Sequence, residues 1–237
     1  MKAVKSLFVC LICATAAYGQ KVEVAGQLNS GLAKFGGESA ASTTTMHSLG
    51  ANRFFTLNPY GSRFASSYGM SVQVQRVTRA NFLLGAQAGA EVLRNRVHID
   101  GVYVYGPVYS SFIEYREASG KTILRNDFIN LYPYFGYRVK AGAVDLDFNV
   151  GPELGIGLKS GVKGEATAAD GAVYTANFER SDPETDIRAR VGVTAYCRHV
   201  GLSASYAHGI TNYLRGYDGS NPEVYARVFR LGLLYRL

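Results

Sequence analysis

The feature of this 237-residue chain that most limits its fold is a repeated alternation of apolar and polar residues. Between positions 143 and 158, seven apolar residues from Val144 to Leu158 alternate with Asp, Asn, Glu and Gly. A period of two is typical of a β-strand with two different faces, whereas an amphipathic helix repeats every 3.6 residues. The alternation therefore predicts an all-β chain with eight strands, at 21–35, 67–77, 81–97, 127–138, 143–158, 186–198, 200–213 and 225–237.

The polar faces of these segments distinguish two kinds of β-barrel. They hold mainly Gly, Ser, Gln and Asn, and only 18% of the chain is charged. A soluble, lipocalin-like barrel is the alternative, but its polar face would meet water and favour Lys, Glu and Thr. Small residues fit the crowded interior of an eight-stranded barrel, so the apolar face points outward into lipid. We therefore predict an eight-stranded antiparallel up-and-down transmembrane β-barrel.

The lengths of the connections support the same architecture. Short links at 78–80, 139–142 and 199 alternate with long ones at 36–66, 98–126, 159–185 and 214–224. This alternation is typical of outer-membrane barrels, which have short periplasmic turns and long external loops. Because Val102–Tyr105 also alternates, we expect strands to continue beyond the membrane into a hairpin.

The N-terminus predicts export. Lys2 and Lys5 precede a short apolar stretch, 7–17, and small residues at Ala17 and Gly19 suit cleavage, so residues 1–19 are interpreted as a signal peptide and 20–237 as the barrel domain. The predicted location is the outer membrane of a Gram-negative-type bacterium, with outer-membrane lipid and lipopolysaccharide as contacts. The net charge of +7 is spread thinly, which argues against nucleic-acid binding.

Parity places a set of charged side chains inside the predicted barrel. Isolated buried charges are costly unless they are paired, so a closed polar network is favoured over the alternative of an ion pathway. The predicted lumen network is Glu91, Asp145, Asp147, Glu153, Arg188, Arg190 and Arg230. Glu23 and Arg236 share the lumenal face near one end, so we expect them to be neighbours across the seam between the first and last strands.

Aromatic residues mark the second long loop. Rigid rings on loops can anchor a binding partner, and they can equally pack the hairpin against a neighbouring loop. The candidate contact residues are Tyr103, Tyr105, Tyr109, Phe112 and Tyr115.

No catalytic, cofactor or metal site is predicted. Asp145, Asp147 and Asn149 resemble the start of a calcium loop, but the required Gly and Glu are missing at its sixth and twelfth positions. Asp182, Glu184 and Asp186 in the third long loop are a weaker calcium alternative. The four histidines come with no complete set of nucleophile, base and orienting residue, so the prediction is a protein that is not an enzyme.

Four segments carry a resemblance to a known family. They are Asn58–Gly61, Phe128–Arg138, Gly201–Tyr213 and Arg227–Leu237, the last of which is similar to the signal read by the barrel-insertion machinery. The chain resembles the PorT-like family of small outer-membrane β-barrel proteins. The resemblance implies a barrel fold, the insertion machinery as a partner and other envelope proteins as further partners. Two alternatives stay open: an accessory role in protein secretion or surface assembly, and a lipid-modifying enzyme.

Overall fold

The structure, a computed structural model, describes residues 21–50, 53–105, 113–180, 185–215 and 222–237. The predicted all-β class is confirmed. Within these ranges no helix is long and apolar enough to cross a membrane. The strands are β1 (Lys21–Gly36), β2 (Thr43–Ser48), β3 (Phe54–Thr56), β4 (Arg63–Val77), β5 (Phe82–Tyr105), β6 (Ile113–Ala141), β7 (Val144–Ala168), β8 (Val173–Arg180), β9 (Asp186–Cys197), β10 (Val200–Gly209) and β11 (Tyr225–Arg236).

Eight of these strands pair in a closed antiparallel succession, the main ring. From β1 the order is β4, β5, β6, β7, β9, β10 and β11, and β11 pairs again with β1. At the closing pair, Ala25 lies opposite Arg236 and Gly36 lies opposite Tyr225. Closure lets the first and last strands satisfy each other's backbone groups, which would otherwise form exposed sheet edges.

The other three strands form a smaller ring that shares β5, β6 and β7 with the main ring. β2 runs parallel to β5 and antiparallel to β3, while β8 lies between β3 and β7. β5 exchanges β4 for β2 between Arg96 and His98, and β7 exchanges β9 for β8 between Gly155 and Ser160. We call the end that carries this small ring the outer end.

The structure therefore corrects the prediction of eight strands to eleven among the described residues. β2, β3 and β8 lie in stretches that were predicted as loops, and β6 and β7 extend far beyond their predicted bounds. For β7 the physical reason is a bulge: Asp127 pairs with Lys159 and Phe128 with Gly157, so Leu158 is an extra residue that reverses the inward parity of this strand. Glu153 and Gly155 point inward before it, and Val162 and Ala166 after it, so a single parity does not follow the strand.

The opposite end, the turn end, carries the short connections. Asn81 and Arg198 adopt positive φ angles of 63° and 55° between β4 and β5 and between β9 and β10. Gly142, with φ of 63°, begins the two-residue turn between β6 and β7. Positive φ is where glycine has its advantage, and Asn tolerates it better than most other residues. The tight turns were predicted at nearly these positions.

The outward face of the main ring is apolar. Leu231, Leu202 and Met70 remain 68%, 66% and 64% exposed, although large apolar side chains are normally buried. Inside the ring, polar side chains fill the part nearer the turn end. Apolar layers follow towards the outer end, and the small ring has an apolar core that includes Met46, Ile99 and Val102. Apolar side chains therefore face outward on the main ring and inward in the small ring.

Candidate functional site: the charged interior and the outer end

The first part of the candidate site is a charged cluster, the upper cluster, in the middle of the main ring. Glu153 accepts hydrogen bonds from Arg188 Nη1 at 2.9 Å, from Arg190 Nη1 at 2.9 Å and from Arg230 Nη2 at 2.8 Å. Arg230 also donates to Glu91 through Nη2 at 2.8 Å. Both Glu153 and Arg188 have no exposed surface. One carboxylate therefore joins three arginines from β9 and β11.

Asp186 completes the upper cluster. Its Oδ2 accepts hydrogen bonds from Arg188 Nε at 2.6 Å and from the Tyr213 hydroxyl at 2.8 Å. With Asp186 included, three carboxylates face three guanidinium groups. This balance matters because a buried ion pair is tolerable only when both partners are matched and hydrogen-bonded.

A second cluster, the lower cluster, lies nearer the turn end. Arg138 donates to Glu23 through Nη1 at 3.0 Å and Nη2 at 2.7 Å, and to Asp147 through Nε at 2.6 Å. Arg236 Nη1 lies 3.2 Å from Glu23 Oε2 and 3.4 Å from Asp145 Oδ2. The bidentate geometry of Arg138 is the strong form of a guanidinium–carboxylate contact. The structure therefore brings Glu23 and Arg236 together. Arg138 connects this predicted seam pair to Asp147 of the predicted lumen network.

A layer of neutral polar side chains separates the two clusters. Gln87 Nε2 donates to Gln27 Oε1 at 2.7 Å, and Gln75 Nε2 donates to Asp147 Oδ2 at 3.0 Å. The rings of Tyr132 and Tyr134 stack 5.2 Å apart. These hydrogen bonds connect the side chains of the layer to one another and to the lower cluster.

The interior leaves little free volume beside these groups. One cavity next to Glu91, Tyr132 and Arg230 measures about 20 Å³. Another, next to Phe35 and Asn126, measures about 10 Å³. A cavity of that size holds about one water molecule. Beside these residues the interior therefore has room for about one water molecule at each place.

The segment Asn58–Gly61 packs against apolar interior residues at the outer end. Tyr60 is buried, with its ring 5.2 Å from Phe35 and 6.0 Å from Tyr213 in edge contacts, and its hydroxyl accepts a hydrogen bond from Arg180. The Gly61 N–H donates to Asn95 Oδ1 at 2.8 Å. A Cβ at Gly61 would collide with the carbonyl oxygen of Arg96, so only glycine allows this close approach.

An aromatic row crosses the small ring. The ring of His47 lies 5.6 Å from Phe55 and 4.7 Å from Tyr103, and Tyr103 lies 5.2 Å from Tyr115. Partial burial lowers the pKa of His47, which favours its neutral form. The structure thus shows two of the five predicted loop aromatics packing on each other. Tyr109 and Phe112 lie outside the described residues, and for Tyr105 the structure describes only its place in β5.

Sequence reasoning missed two charged members of the clusters. Arg138 has the same parity as Tyr132 and Tyr134, so strand parity could have found it. Asp186 was considered only as a loop calcium ligand, whereas it is buried at the start of β9. Asp182 and Glu184 lie outside the described residues. Among the described side chains, no group of three or more His, Cys, Asp or Glu is arranged to hold a metal ion.

Comparisons with known proteins add distant structural likenesses. No protein-family model and no curated protein matches the chain, so the PorT-like resemblance stays a prediction. The crystal structure of Ail, the attachment invasion locus protein of Yersinia pestis, in complex with the heparin analogue sucrose octasulfate matches at 10% identity and a TM-score of 0.35, covering 92% of this chain and 99% of that one. Neisserial surface protein A matches at 10% identity and a TM-score of 0.36, covering 91% and 98%. Likenesses this weak carry no argument about this chain.

Proposed function

We propose that this chain is a non-enzymatic integral outer-membrane protein, exported by its N-terminal signal peptide, whose main ring is an eight-stranded membrane-spanning barrel with a largely plugged lumen. Its outer end supplies the surface for binding or for envelope integrity. The observation that carries the proposal is the apolar band around the outside of the main ring.

The height of this band matches a bilayer. On β6 the outward residues are apolar or aromatic from Ile129 to Val139 and become charged at Asp127 and Arg125. Ten residue steps of about 3.4 Å, tilted by about 40°, give a band of about 26 Å, close to the ~25 Å typical of outer-membrane barrels. A large outward apolar surface marks contact with a membrane or with other proteins, and the matching height favours a membrane.

Aromatic residues border the band at both ends. Phe82 and Tyr137 pack edge to face, 5.5 Å apart, near the turn end. Tyr206 packs on Phe229 near the outer end, at 4.6 Å, and Arg94 lies over the ring of Tyr68 at 5.3 Å. Aromatic girdles of this kind sit where the hydrocarbon meets the headgroups. They support the assignment of the band to the membrane.

The proposed orientation has the turn end in the periplasm and the outer end outside the cell, because outer-membrane barrels keep their short turns inside. Ala143 immediately precedes β7 and Ala169 immediately follows it; both are exposed, so they form a matched pair for labelling. In a Cys197→Ser background, Ala169→Cys should react with a membrane-impermeant maleimide on whole cells. Ala143→Cys should react only after the outer membrane is opened.

The reverse labelling pattern would overturn the orientation. Equal labelling of both positions on intact cells would overturn the membrane-spanning assignment itself. Reaction of both cysteines in detergent provides the control that each position is accessible in the folded protein.

The plugged lumen predicts a lack of conductance. The clusters around Glu153 and Arg138 fill the cross-section with paired charges, so the purified protein in planar bilayers should show no large, persistent open state. A porin in the same bilayer serves as the positive control. Steady porin-like conductance would contradict the plug and would reassign the charged interior to transport.

A further inference from the structure

A cationic cleft lies on the outer surface of the wall shared by the two rings. It has a volume of about 820 Å³, within the range of ligand sites, and its charged lining is Arg63, Arg96, His98, Lys121, Lys163 and Glu165. Strand register arranges these residues in two rows. In the first row, Arg63 lies opposite Arg96, Arg96 lies opposite Ile123, and Ile123 lies opposite Lys163. In the second row, His98 lies opposite Lys121, which lies opposite Glu165.

The first row places Arg63 directly opposite Arg96, and Lys163 follows one strand beyond Ile123. Cross-strand neighbours are about 5 Å apart, and like charges directly opposite each other destabilise a sheet. Among the described residues, Arg63, Arg96, Lys121 and Lys163 form no ion pair, although neighbouring cations do. Arg125 forms an ion pair with Asp127 at 2.7 Å, and Lys159 forms one with Glu179 at 2.8 Å. Four cations thus share a cleft with one carboxylate, which is the electrostatic arrangement of an anion site.

The cleft stands above the apolar band. Lys121 is eight residues beyond Ile129 on β6, and this separation corresponds to a height of about 20 Å at the usual strand rise and tilt. A phospholipid headgroup layer is only about 5–8 Å thick, so ordinary phospholipid phosphates lie below Lys121. Neutral hydrogen-bonding side chains complete the lining, among them Ser119, Thr175 and Asn177. Cations interspersed with hydroxyl and amide groups suit an anionic sugar better than a bare phosphate.

We propose that this cleft binds the phosphorylated saccharide of a glycolipid anchored in the outer leaflet of the same membrane. The proposal rests on the proposed function, which sets the position of the membrane. Guanidinium and ammonium groups of the first row hold the phosphates, while the neutral side chains contact sugar hydroxyls. The anion removes the repulsion between Arg63 and Arg96, so binding also stabilises the wall shared by the rings.

The test uses the full mature chain in detergent and three forms of one probe. These are lipopolysaccharide with a phosphorylated core, the same material dephosphorylated, and the same material deacylated to a soluble phosphorylated saccharide. The test variant is Arg96→Glu with Lys163→Glu. The control is Arg79→Glu with Lys140→Glu, which changes the net charge equally at the turn end on exposed positions. An unchanged heat-dependent shift in electrophoretic mobility shows that each variant is folded.

Intact lipopolysaccharide should bind tightest, and the soluble saccharide should bind more weakly. Dephosphorylation, or the test variant, should weaken binding by about tenfold or more, while the control stays within about twofold of the parent. Equal losses in test and control variants, or equal binding of the dephosphorylated probe, would overturn the site. A soluble saccharide that binds as tightly as the intact glycolipid would overturn the membrane-anchored source.

The soluble arm needs no membrane, so the two proposals fail separately. If the soluble saccharide does not bind while whole-cell labelling still shows a membrane-spanning ring, the cleft assignment is wrong and the proposed function stands. If cleft binding holds while labelling shows no membrane insertion, the proposed function is wrong, and so is the assignment of the saccharide to a glycolipid of the same membrane.

Discussion

Glu153 illustrates how one residue organises the interior. Its carboxylate contacts Arg188, Arg190 and Arg230, and these four side chains are almost fully buried. A buried ion pair adds little net stability compared with apolar packing, yet removing one partner leaves the others uncompensated. The contribution of Glu153 to stability therefore depends on the three arginines. A neutral side chain at this position would leave their positive charge unbalanced.

Glu153→Gln should lower the free energy of unfolding by about 3–5 kcal/mol, because three buried guanidinium groups lose their shared carboxylate. The control is Asp127→Asn, which removes a partly exposed ion pair with Arg125 and should change stability by less than about 1 kcal/mol. Denaturant titration followed by the mobility of folded and unfolded bands measures both. Equal effects for the two variants would show that the upper cluster is not specially dependent on Glu153.

The alternation of apolar and polar residues was sufficient to locate the strands of the main ring. Where these strands cross the proposed membrane, the outward face is mostly apolar and the inward face mostly polar, so the contrast is greatest there. In the small ring the pattern is inverted, with small or apolar residues inside and polar residues outside. Gly164 and Ala166 point inward, and Lys163 and Glu165 outward, while β2 and β3 are short. No single parity carries across the bulge, so these strands could not be predicted from the pattern.

The candidate site was predictable to a similar extent. Parity placed Glu91, Glu153 and Arg230 on one face of their strands, but it could not give their partners, because those depend on how strands are staggered around the ring. The contacts of Arg138 in the lower cluster depend on strand register in the same way. The aromatic row needed the parallel pairing of β2 with β5, which no local sequence signal shows.

The segment Asn58–Gly61 shows how a loop becomes part of the fold. Gly61→Ala should destabilise the protein by about 1–3 kcal/mol, because its Cβ would overlap the backbone of β5 at Arg96. Gly26→Ala is the matched control, since a Cβ there meets nothing within 4 Å. The denaturant midpoint of unfolding, measured for each variant, compares their stabilities. A Gly61→Ala protein as stable as Gly26→Ala would mean that this segment does not pack against β5 as described.

At the scale of the whole molecule, two rings share one wall. The main ring has an apolar exterior and a charged interior, whereas the small ring has an apolar core and a more polar exterior. The proposed membrane position accounts for this inversion along β5, β6 and β7, because it puts lipid around the main ring and water around the small ring. Closure of the main ring is central to the account, because an open sheet edge is not tolerated within a bilayer.

Crosslinking across the seam tests that closure most directly. Leu28 and Leu233 lie opposite each other on β1 and β11 and both face outward, so cysteines there should form a disulfide under mild oxidation in a Cys197→Ser background. Leu28→Cys with Leu237→Cys, offset by four residues or about 13 Å, should not. Digestion and mass spectrometry of the protein in outer-membrane preparations identify the linked peptides. A disulfide in the first variant alone is the predicted result; no disulfide there, or one in the offset variant instead, would contradict the closed ring.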